Sequence, residues 1–213
     1  MMTWMTPISN KAGSSICVGL VLAFVILLFC QESMSAVRSV TLGDMANKSA
    51  LVFEGRVVGK ESREVNTSHL LQTYVTFEVI DVIKGTVNTR TVTFAFMGGT
   101  LGDKVMQVGD MQIPRLGERG IYFVENPGRV QVHPFYGWSQ GHFLIDKDLS
   151  GVDRVMSNRN QPIVKMKTSQ LQAAPTDLSN GVARGVITRK GAKMTDAIPL
   201  GMFKSTVRKM LIQ

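Results

Sequence analysis

The segment from Leu71 to Ile83 constrains the fold of this chain more than any other part of the sequence. Between Val75 and Val79, apolar and polar side chains alternate, and an alternation of period two is typical of a β-strand with one buried face. The pattern breaks at Asp81, where the apolar positions shift to Ile80 and Val82. This shift predicts a β-bulge in a long, strongly coiled strand.

Further β-type segments surround this strand. They are residues 50–60, 90–97, 121–124, 130–132 and 143–145. Together they make roughly six strands at short spacing with no long helix among them, a pattern typical of small barrels and sandwiches. We therefore expect a mainly β fold, with a small OB-like antiparallel β-barrel over residues 37–150. Gly55 predicts a bulge or bend in the first strand, and residues 41–48 predict a short helix.

The amino-terminal region carries a long uncharged segment. Residues 16–30 read ICVGLVLAFVILLFC, and small residues follow at Ser33, Ser35 and Ala36. This order predicts a signal peptide over residues 1–36 and an exported protein, periplasmic or secreted. The alternative is an uncleaved membrane anchor through residues 16–30 that leaves the chain facing outside the cytoplasm, because the uncharged stretch is long enough for one bilayer crossing.

The cysteines and histidines limit the chemistry of the exported part. Cys17 and Cys30 both lie in the predicted leader, so the remainder has no thiol for a disulfide, a nucleophile or a thiolate metal site. The histidines stand at positions 69, 133 and 142, without the spacing of a zinc motif. We therefore expect no metal and no cofactor.

Charge is distributed unevenly along the chain. Residues 37–150 hold 12 Lys and Arg against 12 Asp and Glu, whereas residues 151–213 hold 11 against 3. This shift predicts a domain boundary near Ser150, followed by a basic extended arm. A basic arm attracts an anionic envelope component or a protein. Nucleic acid is disfavoured because of the expected export and because aromatic residues do not interleave with the basic ones.

The arm is expected to end in an amphipathic helix at about residues 199–212. Pro199 can open the helix at its first turn. The apolar stripe comprises Leu200, Phe203, Val207, Met210 and Leu211. Three cations lie off the stripe and are the candidate contacts of the basic arm: Lys204, Arg208 and Lys209.

A long glycine-rich loop from Gly98 to Pro114 is the other candidate for binding. Its sequence misses the first glycine of a dinucleotide-binding motif and lacks the lysine of a P-loop. Long loops on rigid β scaffolds often carry binding residues. The candidate contacts are Gly98, Gly99, Leu101, Asp103 and Lys104.

The pentapeptide GWSQG at residues 137–141 matches the G-x-S-x-G pattern of serine hydrolases, with Ser139 as the nucleophile. That pattern requires a helix after the serine, but the following HFLID predicts a strand. The acid and then the histidine should also follow, and only His142 does. The sequence therefore disfavours a catalytic Ser139 and favours a glycine turn between two strands, which leaves no catalytic residue to assign.

Several segments together resemble a known family. LVFEGRVVGKESR, YVTFEVIDVIKG, GGTLGD and LGERGIYFV, over about residues 50–146, resemble netrin-like domains, the OB-type barrels of the tissue inhibitors of metalloproteinases. With SQGHFLI they also resemble a group of small exported bacterial proteins of unassigned function. The inhibitors act through an N-terminal cysteine and need disulfides, so the resemblance implies the fold and not that inhibitory mechanism.

These observations lead to one expected function and two alternatives. We expect an exported, non-enzymatic β-barrel module that binds a protein or a cell-envelope component. The resemblance implies the first alternative, a secreted regulator of proteases. The second alternative, a serine hydrolase through Ser139, is the one that the sequence disfavours.

Overall fold

The computed structural model describes residues 37–65, 70–109, 111–167 and 177–212. The strands are β1 (Leu51–Val65), β2 (Leu70–Lys84), β3 (Thr91–Met97), β4 (Gly99–Leu101), β5 (Lys104–Met106), β6 (Arg119–Val124), β7 (His142–Lys147), β8 (Asp153–Ser157), β9 (Ile163–Met166) and β10 (Val186–Thr188). The helices are α1 (Leu42–Lys48) and α2 (Leu200–Met210), with short 3-10 helices at Trp138–Gly141 and Met194–Asp196. The signal peptide or anchor predicted for residues 1–36 lies outside the described residues. None of the helices in these ranges is long and apolar enough to span a bilayer.

The fold is mainly β, as predicted, and its main sheet is antiparallel. Six strands pair in the order β3-β2-β1-β6-β7-β8, while β4 pairs with β5 and β9 with β10. The predicted closed barrel is not found in the described ranges, because edge strands β3 and β8 do not pair with each other. Each meets another segment instead: the Met97 amide donates to the Val132 carbonyl (3.0 Å), and the Val155 amide to that of Ile198 (3.1 Å).

The long strands β1 and β2 bend through bulges, as the break in alternation predicted. Their pairing register shifts three times, and one shift lies where Glu54 pairs with Asp81 and Gly55 with Val79. Glycine is required at position 55 because a Cβ there would lie 2.6 Å from the Phe53 ring and 3.0 Å from the Glu78 carbonyl oxygen. A bulge increases the local twist, so the pair coils strongly.

The sheet buries apolar side chains on both faces. One face carries an aromatic cluster whose largest members are Phe53, Phe77, Phe94, Phe96, Tyr122 and Phe135. The other face packs against α1 and α2, and its cluster includes Met45, Val52, Phe123, Phe143 and Phe203. Strand β6 contributes to both clusters, since Tyr122 points to one and Phe123 to the other. The IYFV segment is therefore buried on both sides, as its continuous apolar sequence predicted.

Two strands differ from the prediction. The strand predicted at residues 130–132 is wrong: that segment is irregular, and Val130 and Val132 are 74% and 42% exposed. The sixth strand is β8 instead, which pairs with β7 between Phe143 and Ser157. The predicted boundary near Ser150 thus falls in the turn between two paired strands, and the segment predicted as an extended arm contributes β8, β9 and β10.

The carboxy-terminal helix is observed as α2, within the range predicted for it. Leu200, Phe203, Val207 and Met210 are buried, and Leu211 packs partly against the same cluster. The apolar stripe therefore faces the sheet, which is the usual fate of an amphipathic helix in a globular protein.

Candidate functional site

The GWSQG segment forms a tight turn followed by a strand. Gly137 and Trp138 adopt left-handed backbone angles (φ 65° and 58°), a 3-10 helix covers Trp138–Gly141, and β7 begins at His142. A nucleophile elbow leads into a helix, which is absent here. Ser139 is buried, and within the described part of the chain it forms no hydrogen bond with a histidine or a carboxylate.

The neighbours of Ser139 have contacts that hold the fold together. The Gln140 side chain accepts from the Val40 amide (3.0 Å) and donates to the carbonyls of Arg38 (2.9 Å) and Gly137 (3.0 Å). The Trp138 indole stacks on His133, with ring centroids 5.8 Å apart. The segment therefore fastens the chain before α1 to the sheet and covers a buried histidine.

The candidate basic arm is largely neutralised within the fold. Lys204 forms ion pairs with Glu54 and with Asp81 (2.8 Å), and Arg208 with Asp81 (2.8 Å). Burial would raise the pKa of Asp81, but the hydrogen bonds from these two cations outweigh it and hold that pKa below its usual value. Lys209 is exposed. Two of the three predicted contacts therefore dock α2 on the sheet.

The candidate binding loop forms the β4–β5 hairpin. Gly98 lies directly before its first strand and Gly99 is the first residue of that strand, while Leu101 and Asp103 are exposed towards the tip. Lys104 pairs with Glu64 (2.7 Å). Beside the hairpin is a recess of about 450 Å³, lined chiefly by Met97, Met106, Met111, Val105, Val108 and Ile113. Its wall has no charged side chain, so it offers apolar contact and few hydrogen bonds.

A separate, polar groove of about 460 Å³ is lined by residues of four neighbouring strands of the main sheet, β1, β6, β7 and β8, and of the segment before β6. A turn forms one wall: the Glu118 amide donates to the Arg115 carbonyl (3.0 Å), and Gly117 takes a left-handed φ of 81°. The side chains that matter below are Arg56, Arg115, Leu116, Glu118 and Arg119. A smaller recess of about 140 Å³ adjoins the groove and shares Arg115, Glu118, Leu144 and Asn160 with it.

A buried histidine–carboxylate pair lines the smaller recess. His142 Nε2 lies 2.7 Å from Glu118 Oε1, which also accepts from the Tyr122 hydroxyl (3.3 Å), and the Arg115 amide donates to Oε2 (3.3 Å). Because a carboxylate only accepts, His142 Nε2 is the donor. Its Nδ1 is buried and has no partner. Burial and the negative charge of Glu118 raise the pKa of Tyr122 far above its usual value.

The Asn158 amide is the most unusual polar group of the recess. Asn158 is 6% exposed, and neither its nitrogen nor its oxygen has a hydrogen-bond partner. It lies in the turn after β8, where the Asn160 amide donates to the Ser157 carbonyl (2.9 Å) and Asn160 takes a left-handed φ of 57°. Each buried polar group without a partner costs about 1–3 kcal/mol, so the unpaired amide of Asn158 lowers local stability.

The charges of the groove divide into paired and unpaired ones. Arg119 forms ion pairs with Glu54 (2.6 Å) and Asp153 (2.8 Å), and Lys147 pairs with Asp153 (3.0 Å). Arg56 only donates to the Gly117 carbonyl (3.2 Å). Within the described ranges, the Arg115 guanidinium has no ion pair. Arg56 and Arg115 therefore remain available for an anionic group.

Most of this site was missed by the sequence reasoning. His142 was considered as a partner of Ser139 and as a metal ligand, and disfavoured as both, while Arg115, Glu118 and Asn158 were not singled out. Two signals stood in the sequence: a charged RLGER segment directly before the apolar strand β6, and an SNRN segment directly after β8. Only the pairing of β6, β7 and β8 brings these two segments together.

The groove is lined by charged and hydrogen-bonding side chains together with apolar ones. Among the described residues there is no group of three or more His, Cys, Asp or Glu side chains that could hold a metal ion.

No protein-family model matches the chain, and neither a curated protein nor a solved structure matches it.

Proposed function

We propose that the chain is an exported, non-enzymatic binding module and that it holds a protein or cell-envelope partner in the groove between Arg56 and Asn158. The leader-like residues 16–30 and the small residues after them support export. The coiled β1–β2 pair around an aromatic cluster supports an open relative of the OB-type barrels that the netrin-like resemblance implies.

One observation carries the binding role: the unsatisfied polar groups of the smaller recess adjoin the unpaired cations of the groove. Asn158 and His142 hold buried polar atoms without partners, and the Arg115 guanidinium beside them has no carboxylate among the described residues. Buried polar groups without partners are rare in folded proteins, and functional sites are among the places where such violations are expected. A groove that is polar, charged and open to solvent suits a partner's surface better than a small apolar molecule.

A photocrosslinking experiment tests the location of binding. We would place p-benzoyl-phenylalanine at Leu116, which is 68% exposed at the groove, and at Val130, which is 74% exposed and does not line it. The two sites match in exposure and differ in position. We expect ultraviolet adducts with a partner from position 116 and none from position 130. Identical adducts from both positions, or none from 116, would contradict a partner in the groove.

Two further measurements test export and the absence of catalysis. If the leader is cleaved, protein recovered from outside the cytoplasm should begin at Ala36 or Val37, as mass spectrometry of its first peptide would show. Recovery from the cytoplasm with the leader intact would contradict export. Ester hydrolysis by the purified protein that disappears in Ser139→Ala would refute the non-enzymatic role.

A further inference from the structure

The two orphaned atoms of Asn158 restrict what the groove can bind. The amide nitrogen offers two donors and the oxygen accepts, and both atoms lack partners in the recess. One ligand group that pairs with both must donate and accept side by side. A carboxylate offers acceptors alone at neutral pH, so it cannot satisfy the oxygen. A backbone amide of an extended peptide presents an N–H and a C=O and can satisfy both atoms.

The mouth of the groove selects a charge. Arg56 and Arg115 line the groove without an ion pair in the described part of the chain, while Arg119 and Lys147 are held by Asp153. Asp146, an exposed carboxylate of the same lining, has no ion pair there either, so two unpaired cations face one unpaired carboxylate. A guanidinium binds a carboxylate through two parallel hydrogen bonds, which favours an acidic side chain. Leu116, which directly follows Arg115 in sequence and is largely exposed, adds apolar contact at the rim.

We propose that the groove binds an extended acidic peptide segment of a protein partner. A backbone amide of that segment pairs with Asn158, and an acidic side chain pairs with Arg115 or Arg56. Both Asn158 atoms are shielded from water in the chain alone, so binding requires a side chain of the recess wall to turn outward. This inference rests on the proposed function and names the class of partner for the same site.

The test uses the full-length chain and three defined probes. A fluorescein-labelled, capped heptapeptide of sequence AEAEAEA is titrated by fluorescence anisotropy, and AKAKAKA serves as the peptide of opposite charge. Unlabelled tripolyphosphate serves as an anion without amide groups. We expect saturable binding of the acidic peptide only, and tripolyphosphate should displace it at no less than about 100-fold excess, since it lacks the paired N–H and C=O of a peptide amide.

Matched variants separate the two parts of the recognition. Asn158→Leu keeps the size of the side chain and removes the amide, and we expect binding at least about tenfold weaker. Arg115→Gln should weaken binding of the acidic peptide by a similar factor. Arg129→Gln, an exposed arginine that does not line the groove, should change nothing. Thermal unfolding checks each variant, and Arg115→Gln still decides the matter if Asn158→Leu does not fold.

Several outcomes would overturn the inference. They are equal binding of the acidic and basic peptides, unchanged binding by Asn158→Leu, and displacement by tripolyphosphate at equal concentration, which would mean that the groove recognises anions in general. The photocrosslinking result tells this failure from a wider one. Adducts at Leu116 without peptide binding would leave a partner in the groove and refute its acidic peptide character, whereas an absence of both would remove the proposed function as well.

Discussion

A single methyl group at position 141 should destabilise the protein strongly. Gly141 has no left-handed backbone angle, so the substitution Gly141→Ala tests packing alone. A Cβ there would lie well inside van der Waals contact with the Tyr136 carbonyl oxygen and 3.3 Å from the Phe123 carbonyl oxygen. Both neighbours are backbone atoms, and the Tyr136 amide donates to the Phe123 carbonyl (2.7 Å), so neither can move without disturbing the other.

The cost follows from these contacts. Overpacking a tight position costs about 1–3 kcal/mol, and weakening the Tyr136–Phe123 hydrogen bond adds about 1 kcal/mol. We therefore expect Gly141→Ala to lower the free energy of unfolding by roughly 3 kcal/mol, which for a chain of this size lowers Tm by roughly 6–12 °C. Thermal unfolding followed by circular dichroism, with urea titration at 25 °C, measures both quantities.

A matched glycine makes the reasoning refutable. Gly128 also lacks a left-handed angle, and the nearest atom to a Cβ there is the Asn126 side-chain oxygen at 3.6 Å, which is ordinary contact. Gly128→Ala should change the free energy of unfolding by less than about 0.5 kcal/mol. Equal Tm values for Gly141→Ala and the unmodified protein would show that the turn does not approach the sheet as described. A large loss in Gly128→Ala would show that a Cβ is costly even without a close contact, so the loss in Gly141→Ala could not be assigned to its contacts, because the entropy of glycine in the unfolded chain acts in the stabilising direction.

Three further changes test other parts of the fold. Glu54→Gln leaves Arg119 and Lys204 without their buried partner, so we expect the free energy of unfolding, measured by urea titration, to fall by roughly 3–5 kcal/mol. The control is Glu61→Gln at an exposed ion pair, which should cause no measurable change. Equal effects of the two substitutions would contradict a buried network. Burial, with repulsion from His142, lowers the pKa of His133 to about 3 from 6.5. Above pH 6.5 this low pKa has little effect on the free energy of unfolding. As pH falls from 6.5 towards 3, only the unfolded chain binds the proton, so the free energy of unfolding declines by about 1.4 kcal/mol per pH unit. His133→Asn should remove that part of the slope. Ser139→Ala should shift the free energy of unfolding by less than about 0.5 kcal/mol, and a larger loss would indicate an interaction of the hydroxyl.

Local patterns were sufficient for the strands that have one clear buried face. The alternation up to Val79 and the break at Asp81 predicted both β2 and its bulge, because side-chain period and bulge are local properties of a strand. The same reasoning failed at Val130 and Val132, where the alternation lies in an irregular segment. It also missed β8, whose sequence DRVMS has only two apolar residues and is held by pairing with β7. Pairing between distant segments decides such cases.

The candidate site could not be predicted from local patterns for a similar reason. Glu118 and His142 are 24 residues apart in sequence, and Asn158 follows later still. They meet only because β6 pairs with β7 and β7 with β8. Asn158 in particular looks like an ordinary turn residue, since asparagine is common in turns. Its missing partners, which make it notable, are a property of the folded recess and not of the sequence.

The uneven charge of the sequence acquires a different meaning in the fold. The charge distribution predicts a separate basic arm in the last third of the chain. In the fold, however, three of its cations pair with acidic residues of the first part: Lys204 with Glu54, Arg208 with Asp81 and Arg154 with Asp148. The cations of the last third thus attach α2 to the sheet and β8 to the turn before it. Since Glu54 also holds Arg119, which lines the groove, the docking of α2 and the wall of the groove share one carboxylate. A change at Lys204 should therefore reach the groove through Glu54 and Arg119, although Lys204 is not among the residues that line it.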